Sequence, residues 1–289
     1  MKFLDKIFSV KNEYKNNKKN TVITILGIKI NFSKKRKNKN KNIDEIHSLI
    51  LGGLNVLEQD MNVLYMHSQT FPKYKNINTG KTVVLCGAGP SLRQYKPIEG
   101  AIHVGLNRAI LYEDVKFDYF FAQDWKGIYN IANEIAEYKG NNCVKFIGTQ
   151  ADLLREEIPE SFVSKFKCER YITDNHRFFY NGNIHKFTQH LASQPLGNFG
   201  TIAFPAMQFI MWTNPEKVYI VGCDTAPVGH FTGEVLPDNA RAMQDGTYPK
   251  LVNQWKQFKE FADFHYPGIK IASINPVGLK GIFKDIYTE

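Results

Sequence analysis

From Lys81 onward the chain sets short, continuously apolar runs at intervals that leave room for a helix or a long loop between them. Thr82–Cys86 reads TVVLC, with no alternation of polar and apolar positions. A strand apolar on both faces must be covered on both faces, which is the condition of a parallel sheet between helices. Comparable runs recur at Ala101–Gly105, Tyr119–Ala122, Cys143–Ile147, Lys217–Val221 and Lys270–Ile274. Helical patterns fall near Ile128–Tyr138, Thr201–Thr213 and Leu251–Phe264. This alternation predicts an α/β fold, a Rossmann-like, doubly wound, mostly parallel sheet. Residues 151–199 are rich in Phe, Tyr, Asn and His and give no clear pattern; they are expected to cover the sheet edge or the site. No internal repeat is present.

Charge divides the chain differently. The whole sequence carries a net +9, yet residues 1–42 hold 13 Lys+Arg against 2 Asp+Glu, and the remainder 24 against 26. The body is near neutral and lacks the basic face that a long phosphate backbone requires, so nucleic acid is not expected as a partner. The basic segment has an amphipathic start at Met1–Val10, a β-rich run at Thr21–Phe32 and a polar basic spacer at Lys34–Lys41. It reads either as a solvated, partly disordered extension or as an attachment to an anionic membrane surface, where each nearby cation contributes about 1 kcal/mol. Ile43–Phe71 reads as helix from apolar residues three and four apart, weakened at Gly52-Gly53. The expected organisation is therefore a basic N-terminal extension (1–42), a helical lead-in (43–80) and an α/β domain (81–289).

The four cysteines, Cys86, Cys143, Cys168 and Cys223, form no CxxC pair and no disulfide framework. No run reaches the length of a membrane span, and the N-terminus lacks the apolar core of a signal peptide. The expectation is a cytoplasmic protein.

Gly87-Ala88-Gly89-Pro90-Ser91-Leu92 follows the first strand. Glycines there let backbone N–H groups approach a phosphate or sugar, and Ser91 can cap a following helix or donate its hydroxyl to a ligand. Leu92 stands where a dinucleotide fingerprint has glycine, and no Gly-Lys-Ser/Thr of a Walker loop follows. Polar residues recur where other strands end: Asn107, Gln123-Asp124 and Asp224. Ligands of open α/β sheets bind outside those ends. His230 lies in a glycine-flanked loop beside them and is a candidate general base.

The order VVLCGAGPSL, GLNRA, FFAQDW, GTIAFPAMQFIMWTNPEKVYIVGCD, a Gly-His loop and IKIASINPVGLKGIF resembles the bacterial sialyltransferases that use CMP-activated sialic acid. It also resembles the 6-hydroxymethylpterin pyrophosphokinase-like proteins, including relatives that glycosylate flagellin. The likeness covers about residues 81–285. Thr21–Phe32 is similar to a leader on surface-polysaccharide glycosyltransferases of some epsilon-class bacteria. The resemblance implies a GT-A-like variant of the fold. It implies that Gly87, Ala88, Gly89 and Ser91 hold phosphate and ribose and that Asn107 with Gln123 or Asp124 contacts phosphate and sugar. Gly200 and Thr201 would meet the nucleotide at a helix N-terminus. His230 and Asp224 would be catalytic, with His230 taking the acceptor proton. Tyr248, in a lid of about residues 231–250, would supply a hydroxyl. The chain departs from the sialyltransferases at Ala88, at Thr225-Ala226 and in the six-residue interval between Asp224 and His230.

Three functions are consistent with these features. The first is a metal-independent inverting glycosyltransferase with a CMP-linked, sialic-acid-like donor and no resident cofactor. It would modify a capsule or lipooligosaccharide glycan. The absence of an Asp-x-Asp pair fits this reading. Its partners would be the donor, a glycan or lipid-linked glycan acceptor and, through residues 1–42, the anionic inner face of the cytoplasmic membrane; a homo-oligomer is left open. The second is a Mg²⁺-dependent pyrophosphokinase with the metal on Asp124 and Asp224. The third is a non-catalytic nucleotide-sugar sensor.

Overall fold

The computed structural model describes residues 8–15, 18–25, 28–33, 40–123, 125–150, 158–165, 168–174, 187–233 and 247–288. The chain divides into two compact units, Met1–Gln59 and Asp60–Glu289.

In the first unit, β1 (Phe8–Lys15), β2 (Lys18–Ile25) and β3 (Ile28–Ser33) form an antiparallel meander. The β-rich run read from sequence is thus two strands, and a third precedes it. Register pairs Phe8 with Ile25, Val10 with Ile23, Ile23 with Ile30, Ile25 with Ile28 and Thr21 with Phe32. Because side chains alternate along a strand, these apolar positions share one face. Lys11, Lys15, Lys18 and Lys29 share the other with Val22 and Thr24. Helix α1 (Asn40–Thr70) follows, as the apolar spacing predicts.

The second unit holds one nine-stranded sheet. Its strands are β4 (Thr82–Cys86), β5 (Ile102–Leu106), β6 (Tyr119–Ala122), β7 (Val144–Gln150), β8 (Glu169–Asp174), β9 (Leu196–Gly197), β10 (Lys217–Val221), β11 (Lys270–Ile274) and β12 (Lys284–Ile286). Every pairing is parallel, in the order β12-β11-β10-β4-β5-β6-β7-β8-β9. The chain starts at β4, lays down β5 to β9 on one side, and returns to lay down β10 to β12 on the other. The order therefore reverses between β4 and β10, and this is where the sheet opens a crevice.

The described helices are α2 (Trp125–Ile128), α3 (Ala132–Glu137), α4 (Glu160–Lys165), α5 (Ala203–Trp212) and α6 (Thr247–His265). Val83 to Cys86 and the α5 residues Phe204, Ala206, Met207, Phe209, Ile210 and Met211 are wholly buried. Phe209 sits at the centre of an aromatic cluster, with Phe146, Tyr119, Phe121 and Tyr74 at centroid distances of 4.8, 5.1, 5.3 and 5.4 Å. The end of α1 is tied in by His67, whose Nδ1 bonds the carbonyls of Leu191 and Gln194 at 2.9 Å while Nε2 accepts from the Ile172 N–H at 2.8 Å. Burial holds its pKa down at about 4.

Several local expectations change. The sheet is parallel throughout the described strands, not mostly so. The single helix expected near Ile128–Tyr138 is two short helices joined by a 3-10 turn. The glycine-rich turn runs into a 3-10 turn, Pro90–Gln94, that has no side-chain cap, so Ser91 caps no α-helix. No described helix is long and apolar enough to cross a membrane.

Candidate functional site

The two strands at the reversal point carry the loops that form the site. β4 and β10 pair in register, with Val221 opposite Cys86. Just beyond them the Gly87 N–H donates to Val221 O at 2.8 Å and the Gly89 N–H to Gly222 O at 2.7 Å. The backbones approach so closely that a Cβ on either Gly87 or Gly222 would overlap the other's carbonyl oxygen. Gly222 also has φ +69°, in the left-handed region. Glycine is therefore required by packing at this crossing.

Asp224 then fastens one loop to the other. The Ser91 hydroxyl donates to its Oδ1, and the Ser91 N–H donates to Oδ2 at 3.0 Å. The Gly222 N–H donates back to Ser91 Oγ at 3.0 Å. Burial raises the Asp224 pKa, and the two Ser91 bonds oppose that rise. Two further bonds extend the scaffold, Phe231 N–H to Ala88 O at 2.8 Å and Gly278 N–H to Asp224 O at 2.7 Å.

Above this crossing lies a cavity of about 230 Å³. Its floor is Gly87, Ala88, Gly89, Gly222, Cys223 and Asp224, and its walls include Asn107, Thr225, His230, Tyr248 and Trp255. Thr201, Ile202 and Ala203 line it from the N-terminus of α5, where the aligned peptide dipoles favour an anion. Among the described residues no Lys or Arg lines the cavity. Asn107 has φ +44° and a buried Oδ1 without a partner among the described residues. Burial raises the Tyr248 pKa, so at neutral pH its phenol keeps its proton and can donate it in a hydrogen bond.

The structure thus gathers Gly87, Ala88, Gly89, Asn107, Thr201, Asp224, His230 and Tyr248 around one volume. Three expected residues do not line it. Ser91 is buried beneath the floor with its hydroxyl committed to Asp224. Gly200, at φ +79°, precedes the cavity residue Thr201. Gln123 is buried at the end of β6, where its Nε2 donates to Thr173 Oγ1 at 2.8 Å and its Oε1 has no partner among the described residues. Asp124 lies outside the described residues, as does most of the expected lid, 234–246.

Sequence reasoning missed Thr225, Trp255 and Ile202 as wall residues, and Asn198, whose buried side-chain oxygen, without a partner among the described residues, lies at the same sheet edge. Nothing at Trp255 distinguishes it from a core aromatic; Asn198, like Asn107, directly follows a strand. No group of three or more His, Cys, Asp or Glu among the described residues is placed to hold a metal ion.

No protein-family model matches the chain, and neither a curated protein nor a solved structure matches it.

Proposed function

We propose that the protein is an inverting glycosyltransferase that works without a metal on a CMP-linked, sialic-acid-like donor and a surface-glycan acceptor. The observation that carries this reading is the cavity at the sheet reversal. It combines a glycine floor, a helix N-terminus and two proton-handling side chains, with no Lys or Arg among the described residues that line it. Such a floor suits a singly bridged nucleotide monophosphate, held by backbone N–H groups and the α5 dipole.

In this reading the phosphate rests between Gly87–Gly89 and Thr201–Ala203. The Asn107 Oδ1 accepts a hydrogen bond from a donor hydroxyl or amine. The His230 imidazole takes the proton of the acceptor hydroxyl as that oxygen attacks the anomeric carbon. CMP departs from the opposite face, with the Tyr248 phenol donating to its phosphate oxygen. Asp224 does not touch the reacting atoms; it holds the two loops in place through Ser91. With both its oxygens bonded to Ser91, it is also poorly disposed to hold the Mg²⁺ that a phosphotransferase requires. Residues 1–42, with their net positive charge, would hold the enzyme at an anionic membrane face where lipid-linked acceptors are assembled.

A thermal-shift panel of CMP, UMP, ADP and ATP, each with Mg²⁺ and with EDTA, tests the reading. Stabilisation by CMP that survives EDTA supports it. Stabilisation by ATP alone, dependent on Mg²⁺, overturns it in favour of phosphotransfer.

A further inference from the structure

His230 stands in the loop after β10 with Gly229, at φ +73°, before it and Gly233, at φ +89°, three residues on. Glycines leave a backbone many conformations, so contacts from elsewhere must fix where the imidazole points. Its chain neighbour Phe231 is held at three points. The Phe231 N–H donates to Ala88 O at 2.8 Å, in the loop after β4. The Phe231 carbonyl accepts from Arg93 Nε. The Phe231 ring meets Tyr112 edge to face, with centroids 5.5 Å apart and planes at 79°.

The anchors belong to the segments that carry the rest of the site. Arg93 lies in the 3-10 turn Pro90–Gln94, just after the glycine floor. Tyr112 directly follows the 3-10 turn Asn107–Leu111, which opens with the cavity residue Asn107. The Tyr112 hydroxyl donates to Tyr95 O at 3.0 Å and so closes the loop after β5 on the loop after β4. Phe231 packs with the cluster of Val84, Cys86 and Leu92, whereas the cavity wall Trp255 belongs to the cluster of Val83 and Leu85. Side chains alternate along β4, so the two clusters lie on opposite faces of the sheet. One backbone step thus separates a side chain that lines the cavity, His230, from one seated on the other face, Phe231.

We infer that Arg93 and Tyr112 are positioning residues for His230: they seat Phe231 and thereby hold the imidazole over the glycine floor. They act through His230 in the glycosyltransferase reading, on which this inference rests for the chemistry; the seating itself stands on the contacts. Neither residue lines the cavity, so neither touches the reacting atoms. Loosening Phe231 leaves the glycine floor and the N-terminus of α5 in place, so donor binding is spared. It moves the group that takes the proton, and a misplacement of about 1 Å costs a reaction about 10²-fold in rate. The effect therefore falls on kcat, not on KM. Arg93 is exposed and Tyr112 half-buried, so neither substitution opens the core.

The test compares two double variants of the full chain. R93M/Y112A removes the donor to Phe231 O and the ring beneath Phe231. R93K/Y112F keeps a cationic donor and a ring. Two quantities are measured: kcat and KM for CMP release from CMP-sialic acid in EDTA, and the Cε1–Hε1 NMR signal of His230, identified by its loss in His230→Ala. R93M/Y112A should lower kcat about 10²-fold with KM unchanged and should shift the His230 signal; R93K/Y112F should recover both. An unchanged kcat, a loss expressed in KM, an unmoved His230 signal or no recovery in R93K/Y112F would overturn the inference. A wild type that releases no CMP would refute the glycosyltransferase reading instead. The His230 signal then decides the seating alone: it stands if the signal moves in R93M/Y112A and returns in R93K/Y112F, and falls otherwise.

Discussion

Ser91→Ala separates two roles for the residue that the glycine-rich motif brings forward. If Ser91 touches a ligand, the variant should lose nucleotide affinity and keep its stability. The structure supports the opposite expectation. The hydroxyl donates to the buried Asp224 carboxylate and accepts from the Gly222 N–H, so it fastens the loop after β4 to the loop after β10. A hydrogen bond to a charged group contributes about 1.5–3 kcal/mol, and a buried N–H left without an acceptor costs about 1–3 kcal/mol. Asp224 keeps the Ser91 N–H, so the loss is partial, and we expect about 3 kcal/mol. Asp224→Asn should cost less. A carboxamide can accept from the Ser91 N–H and donate to Ser91 Oγ, and it removes a charge that burial disfavours. Urea unfolding at neutral pH measures both, with an unchanged m-value required for a stability comparison. A Ser91→Ala loss below about 0.5 kcal/mol, or a larger loss in Asp224→Asn, would refute the reasoning.

Four further expectations follow from the same geometry. Gly222→Ala forces a Cβ into Gly87 O at a positive φ, so it should destabilise by more than about 2 kcal/mol and abolish nucleotide binding; a soluble variant with normal affinity would contradict this. His67 has a folded pKa of about 4 against about 6.5 unfolded, so its contribution is complete above pH 6.5 and lost as pH falls toward 4. That amounts to about 3 kcal/mol, and His67→Gln should flatten the stability profile in that window. His230→Ala should lower turnover about 10²–10⁴-fold while CMP binding is retained, and unchanged turnover would remove His230 from the mechanism. On the β1–β3 meander, Ile23→Glu with Ile30→Glu should abolish sedimentation with phosphatidylglycerol vesicles, while Val22→Glu with Thr24→Glu, equal in charge on the opposite face, should only weaken it; equal loss would make the attraction purely one of charge.

The strands with nearly continuous apolar runs were legible because burial on both faces leaves their interiors few polar positions; Tyr119–Ala122, Lys217–Val221 and Lys270–Ile274 match the structure end to end. The strands missed are those without that signature. In β8 (ERYITD) charged residues interrupt the apolar ones, and β9 and β12 are two and three residues long and exist only because a neighbour pairs with them. The site was legible as a set of strand ends. Which members face the cavity was not, because that depends on the β4–β10 crossing. Ser91 and Asp224 are 133 positions apart, and only the return of the chain to the other side of β4 makes them partners. The helix α1 was visible as apolar spacing, but only exposure shows that Val63 is buried while Met61 and Leu64 face solvent.

Release of CMP from CMP-sialic acid in the presence of EDTA, compared between the wild-type chain and His230→Ala, decides whether the cavity at the sheet reversal transfers glycosyl groups without a metal. Wild-type release should be unchanged by chelation and should fall at least about 10²-fold in the variant. Wild-type release that disappears with EDTA, or that persists undiminished in His230→Ala, would contradict that expectation.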